Sequence, residues 1–242
     1  MTKKKLTLRG VHKTIAGKKI LSNINFSIEN NEIVGLLGPN GAGKTTAFYI
    51  AAGLLFPDQG KVSMDGREIT NFLMHQRSRI GLSYLPQEPS IFQDLTVFDN
   101  LDGIAEITTN NQSERNDVVE MIVSKFDLRK IIDKKGRMLS GGQRRKVEIA
   151  RTLVSNPRVI LLDEPFAGID PIAVEEIKSL LRKVVSNDIS ILITDHNVRE
   201  TLSLCNRAII MNEGEIIAEG TSNELIEDAL VKKTYFGNMY SS

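Results

Sequence analysis

One nine-residue stretch limits the possible folds more than any other: Gly38-Pro39-Asn40-Gly41-Ala42-Gly43-Lys44-Thr45-Thr46. It matches G-x-x-x-x-G-K-[ST]. Its glycines let the backbone wrap an anion and turn successive N–H groups inward. The apolar run 33–37 before it reads as a strand, and residues 43–52 after it read as a helix ended by Gly53. A strand feeding a helix through such a loop belongs in an α/β core with a mainly parallel sheet. In that setting Lys44 reaches the β- and γ-phosphates of a nucleotide, and the Thr45 hydroxyl can ligate Mg²⁺.

The rest of the chain agrees with that core. Residues 6–11, 20–28, 61–64 and 80–85 read as further strands, broken by Ala16-Gly17, Asn30-Asn31 and Asp65-Gly66 turns. From residue 88 to 154 helical periodicity takes over, at 97–107, 118–126 and 142–154, with a polar break at 110–117. Runs 159–162 and 189–193 are nearly all apolar, as buried parallel strands are, with a helix over 173–185 between them. A terminal hairpin is expected around Glu213-Gly214. The expected unit is one domain over 1–242. Residues 1–87 and 155–242 form the nucleotide-binding core, its N-terminal part an antiparallel β-subdomain. Residues 88–154 form an inserted α-helical subdomain.

Composition excludes several classes. Lys plus Arg number 31 against 30 Asp plus Glu, a balance that gives no support to a nucleic-acid binder. The single cysteine, Cys205, fits a reducing compartment. No run approaches the roughly 20 apolar residues of a membrane helix, and the basic N-terminus lacks the apolar stretch of a signal peptide. A cytoplasmic protein is expected, touching a membrane only through partners.

Two further segments carry chemistry. The strand 159–162 ends in Asp163-Glu164. Carboxylates there sit at the ligand edge of a parallel sheet. Asp163 suits the Mg²⁺ shell, and Glu164 suits a general base acting on water. Ser140-Gly141-Gly142-Gln143, after Leu139 and before a helix, is a second glycine-rich anion cradle. One nucleotide does not need two cradles, so the second is expected to serve a nucleotide held by another subunit.

The chain resembles the ATP-binding-cassette ATPases over essentially its whole length. The phosphate loop, Gln87 after Leu85-Pro86, the Leu139–Gln143 signature, Asp163-Glu164, the loop 167–170 and His196 after Thr194-Asp195 stand in the family's order. The resemblance implies an ATPase that drives a transporter, with ATP and Mg²⁺ as ligands. Gln87 would sense Mg²⁺ and γ-phosphate, and His196 would contact the γ-phosphate. Two chains would form a homodimer across which Asp170 and the signature loop act. Two transmembrane permease subunits would dock through coupling helices, with Phe92 lining their groove. The segments 85–92, 163–168 and 194–201 and the tail 235–237 look most like the branch that exports lipopolysaccharide. Branched-chain amino-acid importer ATPases and non-transport cassette ATPases are the alternatives. Where many members stack an aromatic ring on adenine, local alignment places Ile15.

Overall fold

The computed structural model describes residues 4–185 and 188–237. A long hairpin opens the chain. Strands β1 (Lys4–Ile15) and β2 (Lys18–Glu29) run antiparallel, joined at Ala16 and Gly17, which both take positive φ. That geometry matches the right-handed twist of the flanking strands. The chain then enters the main sheet as β3 (Ile33–Leu37), buried along its whole length, and turns into helix α1 (Lys44–Ala52). It returns to the hairpin as β4 (Gln59–Met64), paired with β1, and short β5 (Arg67–Glu68). These make a four-stranded antiparallel sheet in the order β2-β1-β4-β5.

Helix α2 (Met74–Arg79) leads to β6 (Leu82–Leu85). The insertion follows as α3 (Val97–Thr108), α4 (Gln112–Lys125) and α5 (Gly141–Val154). Alternation then resumes through β7 (Val159–Asp163), α6 (Pro171–Val185), β8 (Ser190–Thr194) and α7 (Val198–Leu204). The hairpin β9 (Arg207–Asn212) and β10 (Glu215–Gly220) precedes the short helices α8 (Ser222–Glu227) and α9 (Ala229–Val231). The six-stranded sheet has the order β10-β9-β3-β8-β7-β6, parallel except for β10.

Side-chain alternation divides the core. From β7, Val159 and Leu161 point to the layer shared with α1 and the antiparallel sheet. Ile160 and Leu162 point to the opposite layer, shared with the insertion and α6. Leu101, Val119, Ile122 and Phe126 of the insertion join that second layer, so the helical part is anchored on the sheet. A smaller cluster packs Phe236 and Leu225 against Ile210 of β9.

Two features depart from the sequence reading. The expected polar break at 110–117 is mostly the first turns of α4. The Asn111 side chain accepts from the Ser113 N–H and starts the helix among exposed polar residues, where hydrophobic periodicity is silent. Helices α2 and α7, six and seven residues long, come in addition to the elements expected above.

Candidate active site

Strand β3 delivers the chain to Gly38, where the phosphate loop begins. A Cβ at Gly38 would lie 2.1 Å from the Met211 carbonyl oxygen of β9, so only glycine fits against the neighbouring strand. The loop ends at Gly43, which starts α1 with no side-chain cap. Helices α3, α4, α5 and α7 instead begin with caps from Thr96, Asn111, Ser140 and Asn197. The first N–H groups of α1 are therefore left for an anion. Lys44 Nζ donates to the carbonyls of Gly38 at 2.7 Å and Pro39 at 2.8 Å, folded back over its own loop. Burial lowers the Lys44 pKa, with nearby Glu164 opposing.

Thr45, Gln87, Asp163 and Glu164 line one pocket, together with Tyr49 and Tyr84. The topology explains this meeting. α1 starts at the end of β3, while β6 and β7 are parallel neighbours whose C-terminal ends deliver Gln87 and Asp163 to the same edge. The hydroxyl, the carboxylate and the amide are hard oxygen donors, the set Mg²⁺ prefers. Asp163 is buried, and its Oδ2 accepts from the Tyr84 hydroxyl at 3.2 Å.

Glu164 follows the strand in a left-handed conformation, φ 46°. Its N–H donates to the Thr194 carbonyl at 2.7 Å, which ties it to the end of β8. Its Oε1 lies 2.6 Å from His196 Nε2. His196 is largely exposed and directly follows Asp195. Asp195 is buried and accepts from the Phe166 N–H at 3.0 Å and the Asn197 N–H at 2.8 Å. Burial pushes the carboxyls of Asp163, Glu164 and Asp195 above the ordinary range. The Tyr84 hydrogen bond opposes this at Asp163, His196 at Glu164, and the Asn197 N–H at Asp195. A raised carboxyl in contact with a histidine, beside a phosphate cradle, suits acceptance of a proton from water.

The signature loop does not line that pocket, although its Gly141 shares a neighbouring cavity with Gln87. Ser140 Oγ accepts from the Gln143 N–H at 3.2 Å, and Gln143 Oε1 accepts from the Ser140 N–H at 3.2 Å. This reciprocal cap opens α5. A Cβ at Gly142 would lie 2.5 Å from Ala173 Cβ, so close packing of α5 on α6 requires that glycine within the chain itself. Sequence reasoning found no local reason for it. Neither Ser140 nor Gly142 lines the pocket of Thr45 and Glu164. Asp170 is exposed beside Gly142, and its Oδ1 caps α6 through the Ala173 N–H at 3.0 Å, with Pro171 at the first helical position. Ile15 stands 44% exposed at the hairpin tip.

A groove separates the core from the insertion, lined by Met74, Tyr84, Ile104, Ile107 and Arg151 among others. Phe92 lies at its border and not in its lining. Its ring is 55% exposed and lies under the Arg151 guanidinium, 5.2 Å from the centroid. Sequence reasoning missed the residues that hold this region. Arg145 donates to the carbonyls of Pro86, Asp163 and Pro165, and Glu148 accepts from the N–H groups of Ser90 and Ile91. Their signal was present as charges at spacing i, i+3, i+6 in a helix whose other buried residues are all apolar.

The phosphate loop, the acidic end of β7 and the separate signature loop define an ATP-binding cassette. The chain belongs to the ABC transporter family, whose model matches residues 21–167. It is 47% identical, over 97% of its length and 98% of the relative's, to the lipopolysaccharide export system ATP-binding protein LptB of Haemophilus influenzae. Its fold superposes with a TM-score of 0.86 on the ADP conformation of MJ1267, an ATP-binding cassette of an ABC transporter, at 28% identity over 97% of this chain and 99% of that one. The cassette MJ0796, a dimer in a post-hydrolysis state bound to ADP and Pi, gives 0.77 at 26% identity over 90% of this chain and 98% of that one. The chain is an ATPase of this transporter class. Among its described residues no helix is long and apolar enough to cross a membrane.

Proposed function

We propose that this ATPase powers extraction of lipopolysaccharide from the inner membrane of a Gram-negative bacterium. The carrying observation is the near-full-length likeness to a lipopolysaccharide export ATPase. Two copies close head to tail on the cytoplasmic face, beneath two transmembrane subunits of the LptF and LptG kind. Coupling helices of those subunits enter the groove beside Phe92. Residues 88–154 act as the subdomain that carries the signature loop and meets the partners.

In each site the loop Gly38–Thr46 cradles the phosphates. Lys44 exchanges the carbonyls of Gly38 and Pro39 for β- and γ-phosphate oxygens. Thr45, Gln87 and Asp163 would hold Mg²⁺, which when bound neutralises phosphate charge as the β–γ bond breaks. Glu164 accepts the proton of the attacking water. His196 holds that carboxylate from the side and reaches the γ-phosphate. The separation of Ser140 and Gly142 from Thr45 and Glu164 within one chain supports a site completed by Ser140, Gly141, Gly142 and Gln143 of the second copy, with Asp170 at the interface.

Two measurements test this. Glu164→Gln should bind ATP, lose turnover by about 10²-fold, the scale of a lost general base, and accumulate as a dimer in Mg²⁺-ATP on size-exclusion chromatography. In a Gram-negative strain depleted of its own lipopolysaccharide export ATPase, this chain with its own transmembrane subunits should restore surface lipopolysaccharide. Failure of that rescue, with ATPase activity intact, refutes the cargo.

A further inference from the structure

Tyr84 belongs to β6, one strand from the acidic end of β7, and its register partner there is Leu161. Its hydroxyl donates to Asp163 Oδ2 at 3.2 Å, which leaves Oδ1 as the oxygen outside that bond. Two rings from the phosphate-loop helix fix the phenol. Phe48 meets it at 6.1 Å between centroids with planes 60° apart, and Tyr49 meets it at 6.4 Å and 84°. Both are edge-on contacts, the arrangement aromatic rings prefer. Tyr49 follows Thr45 by one helical turn, so the ring contact and the Thr45 hydroxyl share a face of α1.

The same phenol also lines the groove between core and insertion. It stands between the groove and the pocket of Thr45, Gln87 and Asp163. A carboxylate with one oxygen held by a fixed donor has lost most of its freedom to rotate. Such outer partners of a metal-binding carboxylate set its orientation and its affinity.

We infer that Tyr84 is a positioning residue that orients the Asp163 carboxylate toward a divalent cation, and that the ring stack on Phe48 and Tyr49 ties this orientation to the phosphate-loop helix. The inference rests on the reading that Asp163 holds Mg²⁺.

The probe is Mn²⁺, followed by electron paramagnetic resonance, bound to protein saturated with a non-hydrolysable ATP analogue. Tyr84→Phe keeps the ring stack and removes only the donor. It should weaken Mn²⁺ about tenfold, the lower end of the range for lost outer-shell partners, while analogue binding in EDTA stays at the wild-type level. In an Asp163→Asn background, where Mn²⁺ binding is already weak, adding Tyr84→Phe should cost nothing more. Wild-type Mn²⁺ affinity in Tyr84→Phe, or the same tenfold loss in both backgrounds, overturns the role of Tyr84. If Asp163→Asn leaves Mn²⁺ affinity intact, the metal reading itself fails, and the Tyr84 inference with it.

Discussion

Arg77 offers a sharp test of what holds the phosphate-loop helix in place. It is fully buried, yet no carboxylate is among its hydrogen-bond partners. Nη1 donates to the carbonyls of Ile50 at 2.7 Å and Ala51 at 2.6 Å, in the last turn of α1. Nη2 donates to Ile69 at 2.9 Å and Thr70 at 3.1 Å, and Nε to Phe72 at 3.0 Å. Five guanidinium N–H groups meet five carbonyls. Two of those carbonyls close the last turn of α1, beside the negative end of its dipole: Ala51, and Ile50, which also accepts the Gly53 N–H at 3.3 Å. Burial without a counter-charge lowers the Arg77 pKa to about 10. Arg77→Met keeps most of the volume and strands the carbonyls of Ala51, Thr70 and Phe72, while Ile50 and Ile69 keep the N–H groups of Gly53 and Phe72. Each stranded group costs about 1–3 kcal/mol, offset in part by release of a buried charge. A net loss of about 3–4 kcal/mol is expected, close to that for removing one partner of a buried ion pair. At about 2–4 °C per kcal/mol for a chain of this size, Tm should fall by about 10 °C. Calorimetry without nucleotide measures it. Gly53→Ala provides a second route, since its Cβ would sit 2.7 Å from Arg77 Nε and from the Phe72 oxygen. The two changes together should be less than additive. A Tm for Arg77→Met within about 2 °C of wild type would refute the reasoning.

Lys44→Ala should abolish ATP binding, measured by calorimetric titration, with circular dichroism unchanged. Ser140→Arg should bind ATP yet lose turnover, and mixing it with Lys44→Ala chains should restore part of the ATPase rate through one composite site; no recovery at any ratio would contradict a shared site. Phe92→Ala should leave the basal ATPase of the isolated chain nearly intact and reduce co-purification with the transmembrane subunits. The raised carboxyl of Glu164 makes a pH prediction. A group whose folded pKa is raised costs stability when ionised, above that raised value, and the cost disappears as pH falls toward the ordinary carboxyl value. Nucleotide-free Glu164→Gln should therefore melt above wild type at pH 8, with the gain fading toward pH 4.

The chemistry-bearing loops were legible because each sits at a strand end, and buried parallel strands announce themselves as apolar runs. Residues 33–37 and 159–162 became β3 and β7 almost to the residue. From two such ends and a glycine loop, the meeting of Thr45, Asp163 and Glu164 follows. Gln87 joined them for the same reason, one residue past Pro86 at the end of β6. What stayed hidden was carried by single side chains reaching across the fold. Nothing local marks Arg77, whose partners lie up to 27 residues away. Tyr84 looks like any aromatic strand residue until β6 and β7 are paired. Asn111 shows the opposite failure, where the helix signal was a cap and not a period.

The helix α5 links these parts. Its N-terminus is the signature loop, and one of its faces holds the segment that contains Gln87. Arg145 takes the Pro86 carbonyl at 2.9 Å, just before Gln87. Glu148 takes the N–H groups of Ser90 and Ile91 at 2.7 and 3.2 Å, and Arg151 donates to the Ser90 carbonyl at 2.7 Å and stacks on Phe92. The segment from Pro86 to Phe92 is thus gripped at both ends, with Gln87 between the grips. Arg145 also donates to the Asp163 carbonyl at 2.9 Å, so the same side chain touches the strand that carries the acidic pair. Arg145 and Glu148 are buried and paired with each other at 3.2 Å, so separating either from its backbone partners would strand charge in the interior. Arg145 therefore joins α5, the Gln87 segment and the end of β7 into one packed unit, and a displacement of any one of them is felt by the others. On the proposed reading, a partner docked beside Phe92 would act through α5 on both the Gln87 segment and the signature loop.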